Sequence, residues 1–254
     1  MNTIKLGQKS LFRIGLGTNR ITAQSAELLR YAVDHGINFI DTAHIYTAGV
    51  SEQVIGTTLA PYPSNLHIAS KGGMSNGSPA VLREELDQTL SSLATDCVSL
   101  YQLHRIDPNI PLEESLGALK QFQIEGKIEH IGLSEVSIEQ IRRAQSVVEI
   151  TSVQNHYNIA ERKYDDVVDY CTDQNIIFIP YFPLGGHTGD SRITQNLEQL
   201  AKKYRATTQQ LALAWLLKRS PLMLPIPGTL SFKHLDANIA AATIDLSEED
   251  FATL

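Results

Sequence analysis

Short apolar runs alternate with amphipathic stretches from one end of the chain to the other. After a hairpin-like opening (3–6 and 11–13), the runs at 14–16, 37–40, 67–70, 98–103, 131–133, 151–153, 176–179 and 222–224 read as strands. They are short and largely apolar, the pattern of parallel strands covered on both faces. The stretches between them carry helix punctuation. Thr22 precedes an amphipathic segment, Ser78-Pro79 opens one that reaches Leu93, and Pro111 opens Leu-Glu-Glu-Ser. Ser137-Ile-Glu-Gln is a capping-box pattern, Thr207 caps the segment carrying Trp215, and a last helix begins near Ser247. Gly36 and Gly126 supply stop signals. Strand–helix alternation without a Pro/Gly/Ser-rich linker predicts an α/β fold: one (β/α)8 TIM barrel with an N-terminal β-hairpin, a single domain over 1–254. The competing doubly wound sheet would use Gly15-Leu-Gly17 and Asp41 as a dinucleotide fingerprint, but Arg20 stands where the third glycine belongs.

Composition narrows the partners. The 254 residues are 43% hydrophobic and 19% charged, as in ordinary globular proteins. A net charge of −7 argues against a nucleic-acid footprint, which needs a basic face. No apolar stretch approaches the roughly 20 residues of a membrane span, and the opening residues lack the apolar core of a secretory signal. Cys97 and Cys171 lie far apart with no C-x-x-C spacing, so reduced thiols and a cytoplasmic location are expected. Monomer is the default, because no heptad seam is visible.

The chemistry enters at the ends of three of the apolar runs. Asp41 follows Ile-Asn-Phe-Ile, Lys71 follows His-Ile-Ala-Ser, and His104 follows Ser-Leu-Tyr-Gln-Leu. In a barrel, residues at strand C-termini point into the active site. Tyr46, five residues past Asp41, completes a proton-transfer set. A phenol with an ordinary pKa of roughly 10 is a poor acid near neutrality unless its phenolate is stabilised. A lysine cation does that, a carboxylate anchors the lysine, and a histidine donates to a substrate oxygen. Taken singly, each residue has a plainer role: a turn cap, a solvated strand end, a core histidine. All four together at strand ends favour the site.

Here the sequence resembles the aldo-keto reductases. Asp41-Thr-Ala-His-Ile-Tyr46 is similar to that family's D-T-A-x-x-Y signature, and Lys71 and His104 follow in the expected order. The resemblance implies a catalytic set of Tyr46, Lys71, Asp41 and His104, with Tyr46 as general acid. It also implies a nicotinamide cofactor along most of the barrel mouth. Gly17 and Thr18 of Gly15-Leu-Gly17-Thr18 would border it beside Asp41, while Ser134, Glu135 and Gln154 would meet the carboxamide. Tyr181 would stack on the nicotinamide, followed by Phe182, Pro183, Leu184 and Gly185. Ile226, Pro227, Gly228, Thr229, Ser231, His234 and Asn238 would take the adenosine phosphates. The substrate, a small carbonyl compound, would meet Asn19, His44, Ile45 and Phe182.

Three departures from the family pattern stand out. Glu135 replaces the asparagine that commonly follows the carboxamide serine. Gly228 replaces a phosphate-binding lysine, His234 falls where an arginine is common, and Ala237 where a glutamate often meets adenine. Lys233, Thr229 and Ser231 compensate in G-T-x-S versions that accept NADPH, so NADP(H) is favoured, with NAD(H) as the alternative. Finally, the loops at 105–111 and 186–192 are short and the chain stops at Leu254, which predicts an open, shallow pocket.

Two other functions fit the same residues: a non-catalytic, cofactor-sensing regulatory subunit, and an isomerase or aldolase using Lys71 as a Schiff-base amine. No H-E-x-x-H or Cys/His spacing suggests a metal, and no G-x-S-x-G suggests a hydrolase. His156-Tyr157 and Trp215 read as packing residues.

Overall fold

The structure, a computed structural model, describes residues 2–185 and 191–254. It opens with an antiparallel hairpin, β1 (Thr3–Leu6) and β2 (Lys9–Phe12), turning at Gly7. Seven parallel strands follow in sequence order: β3 (Leu16–Gly17), β4 (Phe39–Asp41), β5 (His67–Gly72), β6 (Val98–Leu103), β7 (Ile128–Ser134), β8 (Ser152–Gln154) and β9 (Ile177–Phe178). The helices around them are α1 (Ala26–Asp34), α2 (Val50–Leu59), α3 (Pro79–Leu93), α4 (Leu112–Ile124), α5 (Ile138–Gln145), α6 (Asp165–Asp173), α7 (Ser191–Tyr204), α8 (Thr208–Arg219), α9 (Phe232–Ala241) and α10 (Glu248–Thr253).

The expected eighth strand, 222–224, joins by a single bridge, Phe178 to Met223, rather than a ladder. Leu224 N–H donates to Phe178 O and Phe178 N–H to Leu222 O, both at 2.9 Å. Pro225 and Pro227 have no N–H to extend the ladder further. Pro225 still accepts from Gly15 N–H at 2.9 Å, which joins the last segment to the first and closes the barrel. Gly17 makes that closure possible: a Cβ there would lie 2.6 Å from Ile226 O.

Strand side chains alternate between two cores, as the two-residue strand period requires. Ile40, Ile68, Tyr101, Leu103, Ile131, Leu133, Val153 and Phe178 face the helices. Phe39, Ala69, Leu100, Ile177, Ile179, Leu224 and Ile226 face inward, and Ile4, Leu6 and Leu11 of the hairpin plug that interior from the N-terminal end. The capping signals hold: Ser137 Oγ accepts from Gln140 N–H and Thr207 Oγ1 from Gln210 N–H. Thr22 instead opens a 3-10 turn, Ala23–Ser25, ahead of α1. Trp215 is buried, stacked between Tyr157 and Phe251. Cys97 and Cys171 are free. Among the described residues no helix is long and apolar enough to cross a membrane, and no acidic, His or Cys group is arranged for a metal. Most of the loop expected at 186–192 lies outside the described residues.

Candidate active site

Two residues on from three of these inward apolar side chains, the interior turns polar. Phe39 is followed by Asp41, Ala69 by Lys71, and Leu100 by Gln102 and then His104. Strand pairing sets Lys71 against Gln102, so these groups share one level near the C-terminal rim. Lys71 is fully buried, and its Nζ donates to Asp41 Oδ1 at 2.6 Å and to Thr42 O at 2.7 Å. The Asp41 Oδ2 accepts from Gln154 Nε2 at 2.9 Å and Gln102 Nε2 at 3.3 Å. Burial alone would push the lysine pKa down, but Asp41 and Tyr46 outweigh it and hold the ammonium above its ordinary range.

Tyr46 begins the short turn Tyr46–Gly49, held by its N–H to Ala43 O. Its Oη lies 3.5 Å from Lys71 Nζ, and its ring meets His104 edge-on at 6.2 Å between centroids. His104 is nearly buried, anchored by its N–H to Gly72 O at 2.7 Å. Its Nδ1 is buried without a partner. Burial, with added repulsion from Lys71 and Arg105, pushes its pKa down to about 3. The imidazole is therefore neutral at physiological pH and keeps one N–H for a ligand oxygen. The structure thus gathers Asp41, Tyr46, Lys71 and His104 at one rim.

The surrounding rim comes from later strands. Ser134, at the end of β7, accepts from Arg105 Nη1 at 3.0 Å. Glu135 has φ +56, a left-handed conformation that asparagine tolerates better than glutamate. Its carboxylate accepts from His156 N–H at 2.7 Å and Tyr164 Oη at 3.1 Å. Tyr181 stacks on His156 with centroids 5.2 Å apart. Burial, then Glu135, pushes the Tyr181 phenol up to about 12. Phe182, also at positive φ, projects into solvent, as does Ile45. Phe182 O accepts from Gly185 N–H and Asn158 Nδ2, which fixes the turn through Pro183 and Leu184. Thr18 ties its N–H and Oγ1 to Asp41 O and so belongs to the framework of the site. His44 lies within electrostatic reach of the buried Glu52. Asn19 is exposed near Gly228.

A cavity of about 640 Å³ lies farther along the mouth, where the chain runs from Gly228 into α9. Leu184, Thr229, Ser231, His234, Ala237 and Asn238 line it, joined by Lys233 and Arg20. Among the described residues no acidic side chain lines it. Ser231 Oγ accepts from His234 N–H at the start of α9. Basic side chains around a helix N-terminus fit an anion such as a phosphate. Ile226 and Pro227 lead into this wall buried.

Three residues here were not singled out for the site in the sequence. Gln102 was legible only as a polar interruption of an apolar run, two residues before His104. Arg105 sat in plain view beside His104, and Arg20 was noticed only as a missing glycine. Gln154 was expected at a carboxamide, yet its amide nitrogen turns to Asp41.

Comparison with known proteins agrees with this geometry. The model of the Aldo/keto reductase family matches residues 13–254. The pyridoxine 4-dehydrogenase of Escherichia coli is 38% identical over 100% of this chain and 97% of its own length. Among solved structures, a thermostable aldo-keto reductase in complex with the inhibitor epalrestat superposes with a TM-score of 0.93. It is 31% identical, over 99% of this chain and 98% of that one. An aldo/keto reductase from Klebsiella pneumoniae in complex with NADP and acetate gives 0.90 at 29% identity, over 99% and 93%.

Proposed function

Because the chain belongs to the aldo-keto reductase family, oxidoreductases of small carbonyl compounds, we propose that it is a nicotinamide-dependent carbonyl reductase with Tyr46 as general acid. The observation that carries this is the buried Lys71 ammonium, 2.6 Å from Asp41 and 3.5 Å from the Tyr46 hydroxyl. The cofactor, when bound, supplies a hydride to the substrate carbon. The chain's own residues do the rest. The carbonyl oxygen sits between Tyr46 and the neutral His104, whose N–H holds it. As charge develops on that oxygen, Tyr46 delivers its proton. The Lys71 cation stabilises the phenolate left behind, and Asp41, fixed by Gln102 and Gln154, keeps Lys71 in place.

NADP(H) is the favoured cofactor. Arg20, Lys233 and His234 line one cavity with no acidic side chain among the described residues, and this suits the 2′-phosphate. Aldehydes are the first substrates, then ketones and reducing sugars. The exposed Ile45 and Phe182 leave the mouth open to varied substituents. The whole of 1–254 acts as one catalytic unit in this account.

Replacing Tyr46 by Phe tests the assignment. Tyr46→Phe should lower kcat/KM for a reactive aldehyde by about 10² to 10⁴-fold, the range for a lost general acid. The NADPH affinity measured by fluorescence should stay within about twofold. Retention of near-parental turnover would remove Tyr46 from the chemistry.

A further inference from the structure

Arg105 stands apart from the chain's other partly buried arginines. Arg13 spends its guanidinium on the carbonyls of Leu217, Ser220 and Met223. Arg219 pairs with Asp165 and Asp169. Among the described residues Arg105 engages one nitrogen only: Nη1 donates to its neighbour's carbonyl, His104 O, at 2.6 Å and to Ser134 Oγ at 3.0 Å. Among the described residues no carboxylate lies within 4.0 Å of it, and its Nε and Nη2 donors have no protein acceptor.

Its position is equally specific. Arg105 follows His104 directly and reaches across to the end of β7, so the guanidinium spans two neighbouring strand ends at the catalytic rim. It is close enough to Tyr181 to pull that phenol's pKa down against the effect of Glu135. The other charges at the rim are already matched. Asp41 compensates Lys71, and Glu135 is held by His156 N–H and Tyr164. Arg105 is half-buried and its free donors are not among the polar atoms sealed from water, so a substrate that covers them leaves them unpaired unless it carries an acceptor.

We propose that Arg105 receives an anionic group of the substrate, so that the preferred substrates are carbonyl compounds bearing a carboxylate near the reacting carbon. The proposal rests on the reductase reading for its chemistry, but not for its geometry. With the carbonyl oxygen between Tyr46 and His104, a substituent running towards the end of β7 approaches Arg105, whose guanidinium still has its Nε–Nη2 edge to offer. That edge is a planar fork matched to a carboxylate. Nη1 remains tied to the backbone and Ser134, so the fork is held in place before substrate arrives.

The test compares 4-carboxybenzaldehyde with its methyl ester, two aldehydes that differ in the charge at one end. The parent should prefer the acid. In Arg105→Gln the acid-to-ester ratio of kcat/KM should fall about tenfold to a hundredfold, whatever change the two substrates share. Arg105→Lys should recover part of the ratio. A ratio unchanged between parent and Arg105→Gln overturns the proposal, because it would reduce Arg105 to a support for Ser134. Turnover of neither aldehyde by the parent would count against the reductase reading instead. Calorimetric titration with benzoate then decides the anion site alone. At least tenfold weaker binding in Arg105→Gln supports it, while equal affinity, or no binding by the parent, overturns it.

Discussion

The two ends of the barrel interior are built on opposite principles from the same strands. At the N-terminal end, Leu6 and Leu11 of the hairpin pack against Phe39, Ala69 and Leu100, and every group in that cluster is apolar. Two residues further along those strands stand Asp41, Lys71 and Gln102, buried as deeply but polar. The polar end also keeps unpartnered atoms, among them Gln102 Oε1, His104 Nδ1 and Ser152 Oγ. One end buries carbon away from water and stabilises the fold. The other holds charge in a low-dielectric setting, where a lysine can act on a phenol far more strongly than in water. A single strand serves both because the pleat returns a side chain to the interior at every second residue.

Substitutions at each end can sharpen or break this contrast. Asp41→Asn removes the partner of a buried cation, so it should cost about 3–5 kcal/mol of stability as well as activity. A denaturant titration reads it, and an unaltered midpoint would mean that the pair is not buried in solution. Leu6→Ala, in the plug, should cost about 2–5 kcal/mol yet leave kcat/KM for an aldehyde unchanged at a temperature where the variant is folded. Loss of catalysis in that folded variant would show that the two ends are coupled.

The smallest effect concerns His104. Its pKa lies near 3 in the fold, below the ordinary 6.5, so the native state resists a proton that the unfolded chain takes up. That contribution to stability is present above about pH 6.5 and is lost as pH falls towards 3. Between pH 7 and pH 5 the parent should therefore lose about 1–2 kcal/mol more than His104→Gln does. Parallel stability profiles for the two proteins would place a protonated histidine at the rim.

The sequence made the architecture legible because parallel strands and capped helices leave local signatures. The apolar runs that precede Asp41, Lys71 and His104 fall on β4, β5 and β6, and the capping box at Ser137 and the cap at Thr207 form as expected. What escaped depends on pairing across the barrel. Nothing near Gln102 or Gln154 announces that both amides converge on Asp41, which lies 61 and 113 residues away. The eighth strand shrank to one bridge because of its prolines, a backbone effect stronger than its apolar pattern. The exchange of asparagine for Glu135 read as an oddity in the chain. The structure gives that carboxylate its own backbone and phenol partners, at the cost of a left-handed φ.

The most direct measurement titrates the purified protein with NADPH and, separately, NADH by fluorescence, then follows absorbance at 340 nm with 4-nitrobenzaldehyde. The polar end of the barrel, as described, predicts binding of NADPH more tightly than NADH and oxidation of the bound cofactor by the aldehyde. Failure of both cofactors to bind, or binding without any oxidation across aldehydes of differing size and charge, would contradict it.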